Sequence, residues 1–302
     1  MMSSSRSAME QALLDSSKYK IYSVSVDTRF ADNIYGNTSD FMIRMPSTYK
    51  NIGRIALSSV ELPLVEYTFS CRHGNVNFSV QLSGGAWVDL EIPAGNYDRC
   101  EFIGILQRVL QTVNADFRVL YDDVTGRMTV YNSATAFALK VLSNKEEIAK
   151  RPSNWGIGYN MGIHDRGIIT SIPAPAPTSG WQITGSSPMY IRATPYYLLQ
   201  LWCPDSVEPM VHRVAKGGAV PAFAKLVLEG NKYALQFINN GDYMRKEYTF
   251  LTPVNVSHMR VKLLNPYGEE VDMRDIDWSL TLELYEIVNS RTYDYLVGGF
   301  NR

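Results

Sequence analysis

At 302 residues the chain can bury a sizeable core and holds one large or two modest domains. Hydrophobic residues make up 45% and charged residues 20%, with 29 Lys plus Arg against 30 Asp plus Glu, so there is no basic field for nucleic acid and no polybasic patch for a membrane surface. Cys71, Cys100 and Cys203 show neither CxxC nor Cys/His zinc spacing, which argues against a disulfide framework or metal site, and no apolar run approaches the roughly 18 to 20 residues that span a bilayer.

Taken in chain order, residues 1–18 are small, polar and serine-rich, lack a secretory apolar core, and read as an N-terminal arm that orders against a neighbour. Residues 19–26 alternate: Tyr22, Val24 and Val26 face one way, Tyr19, Ile21, Ser23 and Ser25 the other, as in a half-buried strand. Residues 27–39 are a polar loop with Asn33, Gly36 and Asn37 as turn formers. Phe41, Ile43 and Met45 predict a second strand, and Pro46 is expected to stop it because proline cannot donate to a ladder. Residues 55–59 predict a third, closed by Pro63.

The character changes after Phe69. Short strands at 75–82 and 87–92 flank Ser83-Gly84-Gly85, a hairpin signal. Asp98 is positioned to cap a helix running to about Asn114, in which Phe102, Ile103, Leu106, Val109 and Leu110 recur at helical spacing. A second hairpin follows around residues 122–126, then a strand near 136–142. Residues 67–144 thus predict an inserted α+β unit of ββαββ order, with one helix covering one face of an antiparallel sheet. Residues 145–189 are rich in Gly, Pro and Ser and read as a docked surface loop anchored by Trp155, Tyr159 and Trp181, which are also candidates for a partner interface.

Strands resume at 196–202, 223–228, 248–251, 257–264 and 278–287, and in the last of these Trp278, Leu280, Leu282 and Leu284 alternate with polar residues. Residues 19–66 and 190–288 together predict a mainly β, discontinuous jelly-roll β-sandwich of about eight strands. Residues 289–302 form a Tyr- and Gly-bearing C-terminal tail, in which Tyr293, Tyr295 and Phe300 are candidates for anchoring an arm in a partner's groove.

No reaction chemistry stands out. Gly156, Gly158 and Gly162 are spaced GxGxxxG, without the strand before and helix after that a dinucleotide loop needs. His73, His164, His212 and His258 are scattered, and Cys71 beside His73 lacks a third orienting group. Glu269, Glu270, Asp272, Asp275 and Asp277 crowd one turn without EF-hand order and read as a solvated turn. Asp122 and Asp123 read as turn formers, and three NxS patterns at Asn37, Asn77 and Asn255 matter only on a secretory route. The expectation is a protein that is not an enzyme and needs no metal or cofactor.

The run IALSSVELPLVEYTFS, followed by GNVNF, EIPAGNYDRCEFIGILQ and VLYDDVTGRMTVYN, resembles capsid proteins of nucleocytoplasmic large DNA viruses such as chlorella viruses, and VSHMRVKLLNPYGEEVDMRDIDWSLTLELYEI looks like the closing strand pair of the same group. The resemblance spans most of the chain and implies a jelly-roll minor capsid protein that cements an icosahedral shell. Its implied partners are major capsid protein trimers and other minor capsid proteins, with self-association a further expectation. Its implied location is the virion, assembled in the host cytoplasm. No catalytic residues carry over. A vertex (penton) protein forming a pentamer, or a carbohydrate- or receptor-binding virion module using Trp155 or Trp181, are the alternatives.

Overall fold

The computed structural model describes residues 19–141, 156–165, 167–191, 194–203, 211–215, 218–229, 232–239 and 247–288. In chain order its strands are β1 (Tyr19–Asp27), β2 (Asn33–Ile34), β3 (Asp40–Pro63), β4 (Asn77–Leu82), β5 (Trp87–Glu91), β6 (Phe117–Asp122), β7 (Arg127–Asn132), β8 (Phe137–Lys140), β9 (Ile169–Thr170), β10 (Ile172–Pro173), β11 (Trp181–Thr184), β12 (Tyr196–Trp202), β13 (Val211–Ala215), β14 (Gly218–Ala222), β15 (Ala224–Val227), β16 (Leu235–Asn239), β17 (Glu247–Leu264) and β18 (Ser279–Ile287). Its helices are α1 (Arg99–Gln111) and α2 (Ile157–Met161). Two compact units share the chain: the first runs through Glu66 and resumes at Thr194, and the second lies between them.

The first unit is one antiparallel network in the order β1-β18-β3-β17-β12-β15, with β2 and β16 also paired to β3. The 24-residue β3 is long enough to serve twice. Its first half pairs with β2 and with the second half of β17, from Asp40↔Lys262 to Arg44↔His258. Its second half takes β18 on one edge, from Ile52↔Glu286 to Glu61↔Ser279, and on the other the start of β17 and β16. Between these halves the β3–β17 register shifts three times, between Thr249 and His258. The sheet therefore curls into two layers, each turning its apolar positions inward. Val24, Val26, Leu57, Val60, Leu280, Leu282 and Leu284 of one layer share a core with Phe41, Leu199, Leu226, Met259, Val261 and Leu263 of the other. Each such side chain contributes about 1.5–3 kcal/mol. This is the mainly β, jelly-roll class of sandwich that the strand pattern predicts.

Four expected strands are halves of two. Pro46 does not end a strand, because β3 runs on through it. It falls between Arg44↔His258 and Tyr49↔Val256, where the ladder is already interrupted and a missing N–H costs nothing. Likewise 248–251 and 257–264 are the two arms of β17.

The second unit has its own core. In α1, the Asp98 carboxylate accepts the Glu101 N–H at 2.8 Å while the Glu101 carboxylate accepts the Asp98 N–H at 2.8 Å, a reciprocal cap. The helix buries Phe102, Leu106 and Leu110 against Phe69, Phe78, Val80, Phe117, Met128, Val130 and Leu139. The two hairpins do not share a sheet, as a single helix-covered sheet would require. One sheet runs β5-β4-β8-β9, the other β10-β11-β7-β6. Each hairpin is widened by a partner from further along the chain: β8 takes the free edge of β4, and β11 the free edge of β7.

Those partners change the reading of the Gly/Pro-rich stretch. Its described part forms α2, β9, β10 and β11, and Ile157, Met161, Ile163 and Ile183 enter the core. The GxGxxxG spacing marks the ends of a short helix. Gly162 stops it in the left-handed region at φ 73°, its N–H reaching the Gly158 and Tyr159 carbonyls. A side chain there would also collide with the Ser187 carbonyl oxygen.

Residues 67–193, expressed alone, are expected to unfold cooperatively in urea followed by circular dichroism. Gly162→Ala is expected to cost that unit about 2 kcal/mol or more, from left-handed strain plus a backbone clash.

Candidate functional site

The start of β3 fixes one end of the sandwich. Asp40 is buried, and its carboxylate accepts the Arg260 guanidinium at 2.7 Å on each oxygen and the Lys262 ammonium at 2.8 Å. Lys262 continues to Glu270 at 2.9 Å, and the Arg260 guanidinium lies 4.4 Å from the centre of the Tyr35 ring. Burial pushes the Asp40 carboxyl up, but the hydrogen bonds from Arg260 and then Lys262 outweigh it and hold it below the usual carboxylate range.

This anchor supports two loops that are tied to each other. The Thr28 hydroxyl donates to Asp277 at 2.8 Å, the Thr38 hydroxyl donates to the Ile276 carbonyl at 2.8 Å, and the Trp278 indole donates to the Thr38 carbonyl at 2.7 Å. Trp278 in turn meets Phe41 edge-on at 5.7 Å. Loops held this firmly nonetheless carry Phe30 at 73% exposure, Ile34 at 49% and Ile276 at 46%, beside Tyr35. Apolar side chains held out on a rigid base suit contact with another surface.

A second feature sits where β1 begins and β18 ends. Tyr19 pairs with Ile287, so the start of the first described strand and the end of the last lie at one corner of the unit. The Arg54 guanidinium lies there 3.8 Å from the Tyr285 ring centre and 5.4 Å from that of Tyr19, with Glu247 at 3.5 Å.

A third feature belongs to the boundary of the first unit. Glu66 is buried and accepts the Thr194 hydroxyl at 3.2 Å and the Tyr197 hydroxyl at 3.0 Å. Burial, and then the Glu66 charge, push the Tyr197 phenol well above its ordinary range.

The residues singled out from sequence fall in several places. Tyr159 is half-buried in α2, stacked 5.7 Å from His164 and edge-on to Tyr190 at 5.6 Å. Trp181 is half-buried in β11 and packs on the core of the second unit. Trp155, Tyr293, Tyr295 and Phe300 lie outside the described residues. Among the described residues no three His, Cys, Asp or Glu side chains gather to hold a metal, and no helix is long and apolar enough to cross a membrane. The acidic turn is instead spoken for locally: Asp277 by Thr28, Glu269 by Asn265, Glu270 by Lys262, and Asp272 by the Arg274 N–H.

No family model matches the sequence, and no curated protein matches it. Among solved structures the chain is similar to a crystal structure of the mavirus penton protein, at 7% identity and a TM-score of 0.48, over 90% of this chain and 100% of that one.

Phe30, Ile34 and Ile276 went unmarked in the sequence because they sit singly in polar loops, where no periodicity flags them. Their exposure depends on ties between segments about 240 residues apart, as in the Thr38–Ile276 bond with its separation of 238.

Asp40→Asn is expected to cost about 1–3 kcal/mol at neutral pH by urea denaturation, since it removes the buried carboxylate that binds the partly exposed Arg260 and Lys262 cations. Because the folded carboxyl titrates below its unfolded value of about 3.9, its contribution is complete above about pH 5 and is lost as pH falls through the carboxylate range. The variant's stability deficit should therefore shrink toward pH 3. Tyr197→Phe should cost about 1–2 kcal/mol at pH 7 by the same measurement.

Proposed function

We propose that this chain is a non-enzymatic structural protein of a viral capsid, and within that class a minor capsid protein that cements the shell of a large DNA virus. The observation that carries the reading is the loop end built on Asp40. Phe30, Ile34, Tyr35 and Ile276 stand out on loops that an ion-pair network and an indole hydrogen bond hold in place. A surface of this kind loses little entropy on docking, because its side chains are mounted on ordered backbone. The sequence resemblance to jelly-roll capsid proteins, spread over most of the chain, supports the same reading. The partners it implies are major capsid protein trimers and other minor capsid proteins. In a shell, many copies of a modest contact add by multivalency. Trp181, one candidate platform of the sugar-stacking alternative, is half-buried and packs in part on the core of its own unit, which favours the shell reading.

A map of assembled particles with this chain located tests the reading: density along facets supports the cement role, density confined to fivefold axes the vertex role, and absence from the particle overturns both. Phe30→Asp with Ile276→Ser should lower incorporation about tenfold, the loss of roughly 1.4 kcal/mol per contact. The melting temperature of the free protein should stay within about 2 °C, because both side chains are exposed. Full incorporation of the double variant would remove the loop end from the account.

A further inference from the structure

We propose that two copies of this chain pair through the outer edges of their β1 strands, antiparallel about a twofold axis at Ser23. The proposal rests on the shell reading and deepens it by naming a contact between like chains.

β1 ends the network of the first unit and is paired along its whole length with β18 on one side. The Thr28 N–H donates to the Trp278 carbonyl at 3.1 Å, one step past the Asp27↔Ser279 pair, and that bond sets the phase of the ladder. Antiparallel bonds recur at every second residue, so Lys20, Tyr22, Val24 and Val26 turn their peptide groups toward β18. Tyr19, Ile21, Ser23, Ser25 and Asp27 turn theirs outward. Among the described residues nothing bonds to those outward groups. A row of unpaired N–H and C=O groups is a template for another strand.

Among the described residues, the sheet edges of the second unit are blunted. β9 and β10 have two residues each, and β10 ends in Pro173. β5 carries exposed Asp89 and Glu91. The outer edge of β6 is closed by α1: the Gln107 side chain accepts the Val119 N–H at 3.0 Å, and the Gln111 side chain donates to the Phe117 carbonyl at 3.0 Å. β1 has none of these devices. It is nine residues long, its register with β18 is unbroken, and it contains no proline. Its outward row holds no charge before Asp27, which the Arg29 guanidinium meets at 2.6 Å.

The sequence of the strand selects a second copy as the occupant. With Ser23 laid opposite Ser23, Ile21 meets Ser25 and Tyr19 meets Asp27, so every outward residue faces an outward residue and each such pair exchanges two bonds. A slip of one residue sets outward groups against inward ones, and a slip of two leaves an outward residue unpaired. On the other face Tyr22 falls opposite Val24, an aromatic and β-branched pair, and Lys20 falls opposite Val26, so no like charges meet. A surface that matches itself in this way closes at two copies.

Sedimentation velocity of the full chain between about 1 and 200 μM, a range that spans weak association, is the test. The wild-type chain should associate as concentration rises. Ser23→Pro removes the central outward N–H and no bond to β18, so it should weaken association at least about tenfold. The melting temperature of the monomer should stay within about 3 °C. Ser23→Lys and Ser23→Glu each set like charges opposite one another across the twofold, and each alone should weaken association at least about tenfold. An equimolar mixture of the two should recover it, and a misfolded chain could not give that recovery. A full chain monomeric throughout, association indifferent to Ser23→Pro, or a mixture no tighter than its components would each overturn the proposal. These readouts use the free protein, so their failure leaves the particle map standing, and an empty particle map leaves them standing.

Discussion

The first unit depends on one backbone being hydrogen-bonded along both edges on both sides of a bend. Buried peptide groups must be paired, and in a curled sheet the strands that pass through the curl are where pairing is hardest to keep. β3 meets that constraint by changing partners along its length, from β2 and the far half of β17 to β18, the near half of β17 and β16. The register breaks in β17 absorb the turn. A proline is accommodated in the same interval because that stretch of ladder is already open. Core formation follows from the curl: it brings Leu280, Leu282 and Leu284 over Phe41, Val261 and Leu263.

Legibility in the sequence followed range. The cap of α1 could be read because Asp98 and Glu101 are three residues apart and act on each other directly. β18 could be read because Leu280, Leu282 and Leu284 alternate without interruption. Pro46 misled because a sound local rule was answered by a partner more than 200 residues away. The second unit misled in the same manner: two hairpins in series suggest one sheet, but β11 bonds to β7 across the whole Gly/Pro stretch. β16 was missed because only Ile238 is buried in it, so no amphipathic contrast shows.

The surfaces were less legible than the fold. An aromatic in a sequence is equally a core residue or an exposed one. Trp181 joined a core, while Phe30 and Phe237, which had drawn no notice, stand in solvent. What separates the two outcomes is whether a second segment arrives to cover the ring, and that information is tertiary. Phe30 and Phe237 lie on parts of the first unit that are fixed by ion pairs or by the ladder, so display and rigidity coincide there.

The bond between Glu66 and Thr194 has one more implication. The chain leaves the sandwich at Glu66 and returns at Thr194, and the side chains of those two residues touch at 3.2 Å. Departure and return thus share a doorway, so the host sandwich sees only a closed loop whatever lies beyond it. A short turn, or an unrelated module with neighbouring ends, could be mounted at the same place without disturbing the host's own strands. The sandwich is in this sense a socket, and variation among related chains is expected to concentrate in what is plugged into it.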